Sequence, residues 1–165
     1  MHPVIESLFD GAENGYIPSE TLAEVNQYMK SLPERLAAYR TLRDREIQVM
    51  QKVADELEKQ LTGESVERLE QSLKTGILAI RHCAMAMLMQ DDRYLEERLL
   101  SWLEETTQIY NTQSIDRILY PLIRDHLGQL LNANQMRLLE PFLAKVQHHC
   151  GASEEDSLLT VAGIF

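Results

Sequence analysis

Gln71–Thr106, QSLKTGILAIRHCAMAMLMQDDRYLEERLLSWLEET, is the stretch whose reading decides the fold. From Gly76 to Met89 it is almost unbroken apolar sequence, interrupted only by Arg81 and His82. A membrane span needs roughly 18 or more such residues, so this run predicts a helix in the middle of a protein core. The second half changes character. Leu95, Leu99, Leu100 and Leu103 mark one face of an amphipathic helix, and Glu96, Glu97, Arg98, Glu104 and Glu105 mark the other. Asp91 and Asp92 stand at the junction, where a carboxylate can cap the incoming helix. One central helix, a tight corner and an amphipathic helix follow, and the rest of the chain must cover them.

Working outward, composition bounds the class. The chain has 165 residues, 44% hydrophobic and 25% charged, the proportions of one globular domain. Its formal net charge of −10 argues against a nucleic-acid partner, which needs a concentrated basic face, and against an anionic membrane surface. Two cysteines, Cys83 and Cys150, make no disulfide framework, so a reducing compartment is expected. Met1-His2-Pro3 opens directly into Ile5 and Leu8 without a basic segment and an apolar run. The expectation is a cytoplasmic protein with no signal peptide and no transmembrane segment.

Seven glycines, five prolines and no alternating run rich in Val, Ile and Thr predict an all-α fold. Val4, Ile5, Leu8 and Phe9 form a short amphipathic helix stopped by Gly11 and Gly15. A second short helix starts at Pro18-Ser19 and carries Leu22, Val25 and Met29. Both are short enough to need a surface to dock on, in this chain or another copy. Pro33 restarts the chain, and apolar residues recur at helical spacing from Leu36 to Leu61. A straight run of that length would span about 45 Å, so a bend or break is expected near Arg43–Glu46. Beyond the central stretch, helices are expected over Ser114–Leu131 and from the Asn132-Ala133-Asn134 cap to His148-His149-Cys150-Gly151, before an acidic tail ending at Phe165. This gives residues 1–32 as a helical extension and 33–165 as the body of a single domain.

Laid out in this way, the chain resembles the phycobiliprotein subunits of phycobilisomes. The likeness is carried by Gly76–Leu88, Asp91 and Leu95–Thr106, with Ile5, Gly15-Tyr16-Ile17, Leu22 and Tyr28 in front and the helical run from Pro33 to Leu61 between them. It implies a globin-like fold from a cyanobacterium or other phycobilisome-making organism, with the two leading helices forming a dimerisation extension. It also implies a role in photosynthetic light harvesting. The family attaches a linear tetrapyrrole, a bilin, through a cysteine on the central helix. An arginine two residues later meets the propionates, and an adjacent aspartate holds the pyrrole nitrogens. Those positions here are Ser72, Lys74 and Thr75. A serine hydroxyl is too poor a nucleophile to replace a thiolate, and Thr75 brings no counter-charge. Lys74 offers only a point charge. Cys83 lies about 16 Å further along the helix axis and does not substitute. No covalently bound bilin is expected; a bilin held without a covalent bond is the alternative cofactor.

The resemblance implies subunit pairing through Glu13, with Tyr16 beside it, and Arg81 on the central helix. An arginine in so apolar a run needs a carboxylate, supplied by a partner's Glu13 or from within the chain. The partner is a second copy or a phycobiliprotein-type subunit.

Other constellations carry less. His82 and His126 invite a haem reading, but interface or surface histidines account for them. His148-His149-Cys150 lacks a second ligand group at fixed spacing for a metal and suits the negative end of a helix. Trp102 either fills volume a bilin would take or presents an exposed anchor. No phosphate loop and no nucleophile–base pair is visible, so no catalytic residues are assigned. The sequence thus points to a non-catalytic phycobilisome-related subunit with a structural, assembly or regulatory role, and secondly to a carrier of unattached tetrapyrrole linked to pigment synthesis or turnover. Haem-based sensing is a third reading, resting on fold analogy alone.

Overall fold

A computed structural model describes residues 2–13 and 15–151. Among them every regular element is helical: α1 Pro3–Glu13, α2 Ser19–Gln60, α3 Val66–Met89, a short α4 Arg93–Leu95, α5 Ser101–Tyr110, α6 Gln113–Leu130 and α7 Ala133–Gly151. A π-helical turn, Glu96–Leu100, joins α4 to α5. The acidic tail expected after Gly151 lies outside the described residues.

α3 occupies the centre, packed by α2, α5, α6 and α7. Its inward face is built from small residues, among them Gly76, Ala79, Cys83, Ala84 and Ala86, which let neighbouring helices approach. At Gly76 a Cβ would lie 3.2 Å from methyl carbons of both Leu119 and Ile123 on α6. The opposite face is open, since Lys74, Leu78 and Arg81 are exposed. The stretch is therefore less uniformly buried than its sequence suggests. Beyond the corner, Leu95, Leu99, Leu100 and Leu103 all face the core. The extra residue of the π turn lets the consecutive pair Leu99-Leu100 turn inward together.

The front half departs from the expectation. α2 runs unbroken through 42 residues, with neither a restart at Pro33 nor a break at Arg43–Glu46. Its second part is the predicted run, and the short helix expected near Ser19 is its first part. A proline inside a helix removes one backbone hydrogen bond and costs about 3 kcal/mol. Here Arg35, 0% exposed, bridges the weakened turn. Its Nε donates to Ser31 Oγ at 3.0 Å and Nη2 to the Tyr28 carbonyl at 2.7 Å. Nη1 donates to the Leu88 carbonyl near the C-terminus of α3, the negative end of that helix dipole. The guanidinium also lies 4.3 Å from the Tyr28 ring centroid. His2 covers the other side of the arrangement, with its ring 4.5 Å from that of Tyr28 and Nε2 2.8 Å from the Gln90 carbonyl. These contacts tie α1 and α2 to the end of α3.

Helix ends follow local chemistry. α3 and α5 each close on a left-handed residue, Gln90 at φ 54° and Asn111 at φ 51°. Asp91 Oδ1 accepts the Arg93 N–H at 3.0 Å, as expected of a capping carboxylate at this corner. Asn132 and Gln135 form a reciprocal capping box, at 2.9 Å and 3.3 Å, that starts α7.

Candidate functional site

Two places on the molecule concentrate chemistry. The first is a buried polar cluster beside the N-terminal half of α3. Ser72, 0% exposed, donates its hydroxyl to Asp116 Oδ1 in the first turn of α6. Thr112 Oγ1 donates to Asp116 Oδ2 at 2.9 Å, and Thr107 Oγ1 reaches the same oxygen at 3.4 Å. Three hydroxyls from α3, α5 and the link before α6 thus converge on one carboxylate. Burial pushes the Asp116 pKa above the usual carboxylate value, while the three donated hydrogen bonds pull it down and only partly compensate.

Tyr120 and Cys150 extend the cluster into the core. The Tyr120 hydroxyl is buried without a hydrogen-bond partner of ordinary geometry, and the Cys150 thiol is its polar neighbour. Burial raises the Tyr120 pKa well above its ordinary value and pushes the Cys150 thiol up to about 12. Cys83 is also buried, and its pKa is raised by the same cause. Thiols so far from ionisation are poor nucleophiles.

The residues expected at the pigment position do not form a cradle. Ser72 is enclosed and engaged with Asp116, whereas Lys74 points to solvent and pairs with Glu70 at 3.7 Å. Thr75 Oγ1 donates to the carbonyl of Gln71 at 2.9 Å, one turn back on its own helix. No thiol stands at the position of attachment, and the lysine and the serine point apart. This set does not fit a thioether-linked bilin. Trp102, 43% exposed, does not act as the buried filler considered for it.

The second place is an open groove of about 500 Å³ between α2 and α3, bordered by Tyr39, Arg43, Arg81, His82, Met85 and Tyr94. Arg81 is not buried, as its place in an apolar run suggested; its side chain is 62% exposed. The carboxylate that answers it within the chain is Glu46, which accepts from Nε at 2.7 Å and Nη2 at 2.8 Å. Those hydrogen bonds, and then the carboxylate's charge, raise the guanidinium pKa further. His82 Nδ1 is buried without a partner, and the ring sits 5.7 Å from Tyr94. Burial, and secondarily the charge of Arg98, lowers the His82 pKa. Glu13 and Tyr16 lie at the α1–α2 turn, where Gly15 adopts φ 74°; both are exposed, Tyr16 to 74%.

The remaining candidates separate. His126 Nε2 is 3.0 Å from Glu56 Oε1, in surroundings unlike those of His82. His148 and His149 are exposed at the surface while Cys150 turns into the core. Among the described residues no group of three or more His, Cys, Asp or Glu side chains is placed to hold a metal ion. Likewise, no described helix is long and apolar enough to cross a membrane.

The sequence reading missed Asp116, Thr107, Thr112 and Arg35. A signal was present for two of them. Asp116 falls in helical register with Leu119, Tyr120 and Ile123, and Arg35 with Ala38 and Leu42, so each is a charge on an inward stripe.

Compared with known proteins, residues 10–148 match the family model described as Phycobilisome protein. No curated protein matches the chain.

Proposed function

Given that the chain belongs to the phycobilisome protein family, we propose that it is a non-catalytic subunit without covalent bilin, with a structural, assembly or regulatory role. The family indicates light harvesting, and its members are generally pigment-bearing structural proteins that assemble with related subunits. The observation that carries the more specific reading is the enclosure of Ser72. The residue at the attachment position is fully buried and its hydroxyl is committed to Asp116.

In this reading the surviving function is pairing. Glu13 and Tyr16 of one subunit meet Arg81 of another, and the 1–32 extension supplies the docking element for the 33–165 body. Support comes from the exposure of all three residues; Arg81 keeps its intrachain partner Glu46 through Nε and Nη2, so a partner's carboxylate would add to that pair. Because α2 crosses from the extension into the body without interruption, the extension is carried on a stiff arm. Such a subunit would work in the cytoplasm, at the thylakoid face, through phycobilisomes.

A second reading rests on the groove. Its size, two tyrosines and the Arg43, Arg81 and His82 side chains suit an unattached tetrapyrrole with carboxylate arms. Mixing the protein with phycocyanobilin, biliverdin or haem and passing each over a sizing column separates the two readings. The first expects a colourless dimer in all three. A co-eluting, shifted bilin band that disappears on denaturation supports the carrier, and a Soret band supports a haem protein.

A further inference from the structure

We propose that the α2–α3 groove binds a purine nucleoside monophosphate, with the base against its tyrosine walls and the phosphate between Arg43 and Arg81. The inference goes beyond the pairing reading, requires no second copy and shares only Arg81 with it.

The groove is chemically different at its two ends. Arg35 of α2 reaches the Leu88 carbonyl of α3, and Glu46 further along α2 meets Arg81 earlier on α3. The two helices are therefore antiparallel here, which sets Tyr39 towards Met85 and Arg43 towards Arg81. Tyr94 of α4 forms a side wall, with the His82 ring 5.7 Å from its own. The floor is apolar and enclosed, since Leu42, Ile80 and Ala84 are at most 4% exposed. From Tyr39 to Glu46 is about 10 Å of helix, a length that an extended nucleoside monophosphate fills. The volume of about 500 Å³ is also that of a small-molecule site.

At the arginine end the groups left free are donors. Among the described residues Glu46 is the one carboxylate on the groove, and Arg81 Nε and Nη2 occupy both its oxygens. Arg81 Nη1 has no hydrogen bond among the described residues. Arg43 is held by its chain neighbour Asp44, in a pair whose two side chains are at least 60% exposed, and such a pair yields readily to a stronger acceptor. A ligand must therefore bring acceptors and negative charge to this end. A planar carboxylate is satisfied by one guanidinium fork, as Glu46 is by Arg81. The three oxygens of a phosphate monoester accept from both walls at once. At the other end, tyrosine faces above an apolar floor suit a stacked base. A chain of net charge −10 repels anions over most of its surface, so a bound phosphate requires a local site of this kind.

The test is equilibrium dialysis of the full chain against adenosine monophosphate, guanosine monophosphate, adenosine, ribose 5-phosphate and biliverdin, repeated on Arg43→Ala, Tyr39→Leu and Arg45→Ala. The nucleotides should bind saturably, one per chain. They should bind at least about tenfold more tightly than adenosine or ribose 5-phosphate, each of which lacks one of the two contacts. Arg43→Ala and Tyr39→Leu should each weaken binding about fivefold or more. Arg45 is an exposed arginine of α2 outside the groove, and Arg45→Ala should leave binding unchanged. Thermal melting followed by circular dichroism identifies a Tyr39→Leu chain that fails to fold, and Tyr94→Leu then takes its place. Equal weakening by Arg43→Ala and Arg45→Ala would reduce the effect to general charge and overturn the site. Binding insensitive to the tyrosine replacement, or no uptake of either nucleotide, would overturn it too. Biliverdin bound in the absence of any nucleotide binding would overturn this inference while supporting the carrier reading, and neither outcome bears on pairing.

Discussion

Ser72 on α3 donates its hydroxyl to Asp116 on α6 across 44 residues of chain, and both side chains are buried. The contact spends the Ser72 hydroxyl inside the protein. It also leaves an ionisable carboxyl in the core, held by hydroxyls and not by a cation. Hydrogen bonds to a charged group contribute about 1.5–3 kcal/mol, which partly offsets the desolvation of Asp116.

That balance makes stability depend on pH in a defined direction. Burial raises the Asp116 pKa above the ordinary value of 3.8, so the folded chain holds this proton more tightly than the unfolded chain. Its contribution is fullest below pH 3.8 and is lost as pH rises through the higher folded value. Asp116→Asn removes the titration while keeping one acceptor. Urea unfolding at pH 4 and pH 7 should show the native protein losing ground to the variant as pH rises. A gap that stays constant or moves the other way would contradict the assignment.

Arg35 braces the Pro33 turn and the end of α3 through three hydrogen bonds. Arg35→Ala should cost about 3 kcal/mol, since it removes a buried guanidinium's three hydrogen bonds and leaves the part-buried Tyr28 and Leu88 carbonyls without this donor. Arg35→Lys should recover only part, because an ammonium cannot span three acceptors in a fixed fork. Guanidinium unfolding checks both; a loss below about 1 kcal/mol in the alanine variant would show that solvent or repacking replaces the brace.

Gln90 closes α3 with φ 54°, a conformation that costs a residue bearing a Cβ about 1 kcal/mol or more. Its link to His2 uses the backbone carbonyl and survives side-chain removal. Gln90→Gly should therefore stabilise the fold by about 1 kcal/mol, seen as a higher thermal midpoint. An unchanged or lower midpoint would contradict this.

Arg81 separates folding from pairing. The Arg81 side chain is 62% exposed but that of Glu46 only 12%, so removing the arginine alone strands a largely enclosed carboxylate, at about 1–3 kcal/mol. Arg81→Ala combined with Glu46→Gln removes both charges and should unfold at nearly the native denaturant concentration yet pair at least about tenfold more weakly, as for loss of a charged interface contact. Equal pairing by sedimentation would remove Arg81 from the proposed interface.

The helical class and the central place of α3 were legible because the apolar run at Gly76–Met89 and the leucines at 95, 99, 100 and 103 have no other economical burial. Pro33 misled because proline is read as a boundary. Helices α2, α6 and α7 each run through an internal proline, and the Arg35 contact to Leu88 that braces the first of them is long-range, which no local pattern reveals. Ser72 was recognised as a poor nucleophile from its type alone. Its enclosure depends on Asp116, Thr107 and Thr112 arriving from other helices, and convergence of that kind is invisible in spacing. Arg81 shows the opposite error. A charge in an apolar run suggested burial, but helix α3 keeps one face open.

The central claim is that this member of the family bears no covalent pigment. It is tested most directly by expressing the chain with bilin-synthesis enzymes and a bilin lyase, then viewing the denatured protein in a gel by zinc-enhanced fluorescence. The account predicts no fluorescent band at the mass of the chain. A band there, and above all one lost in Ser72→Ala, would contradict it.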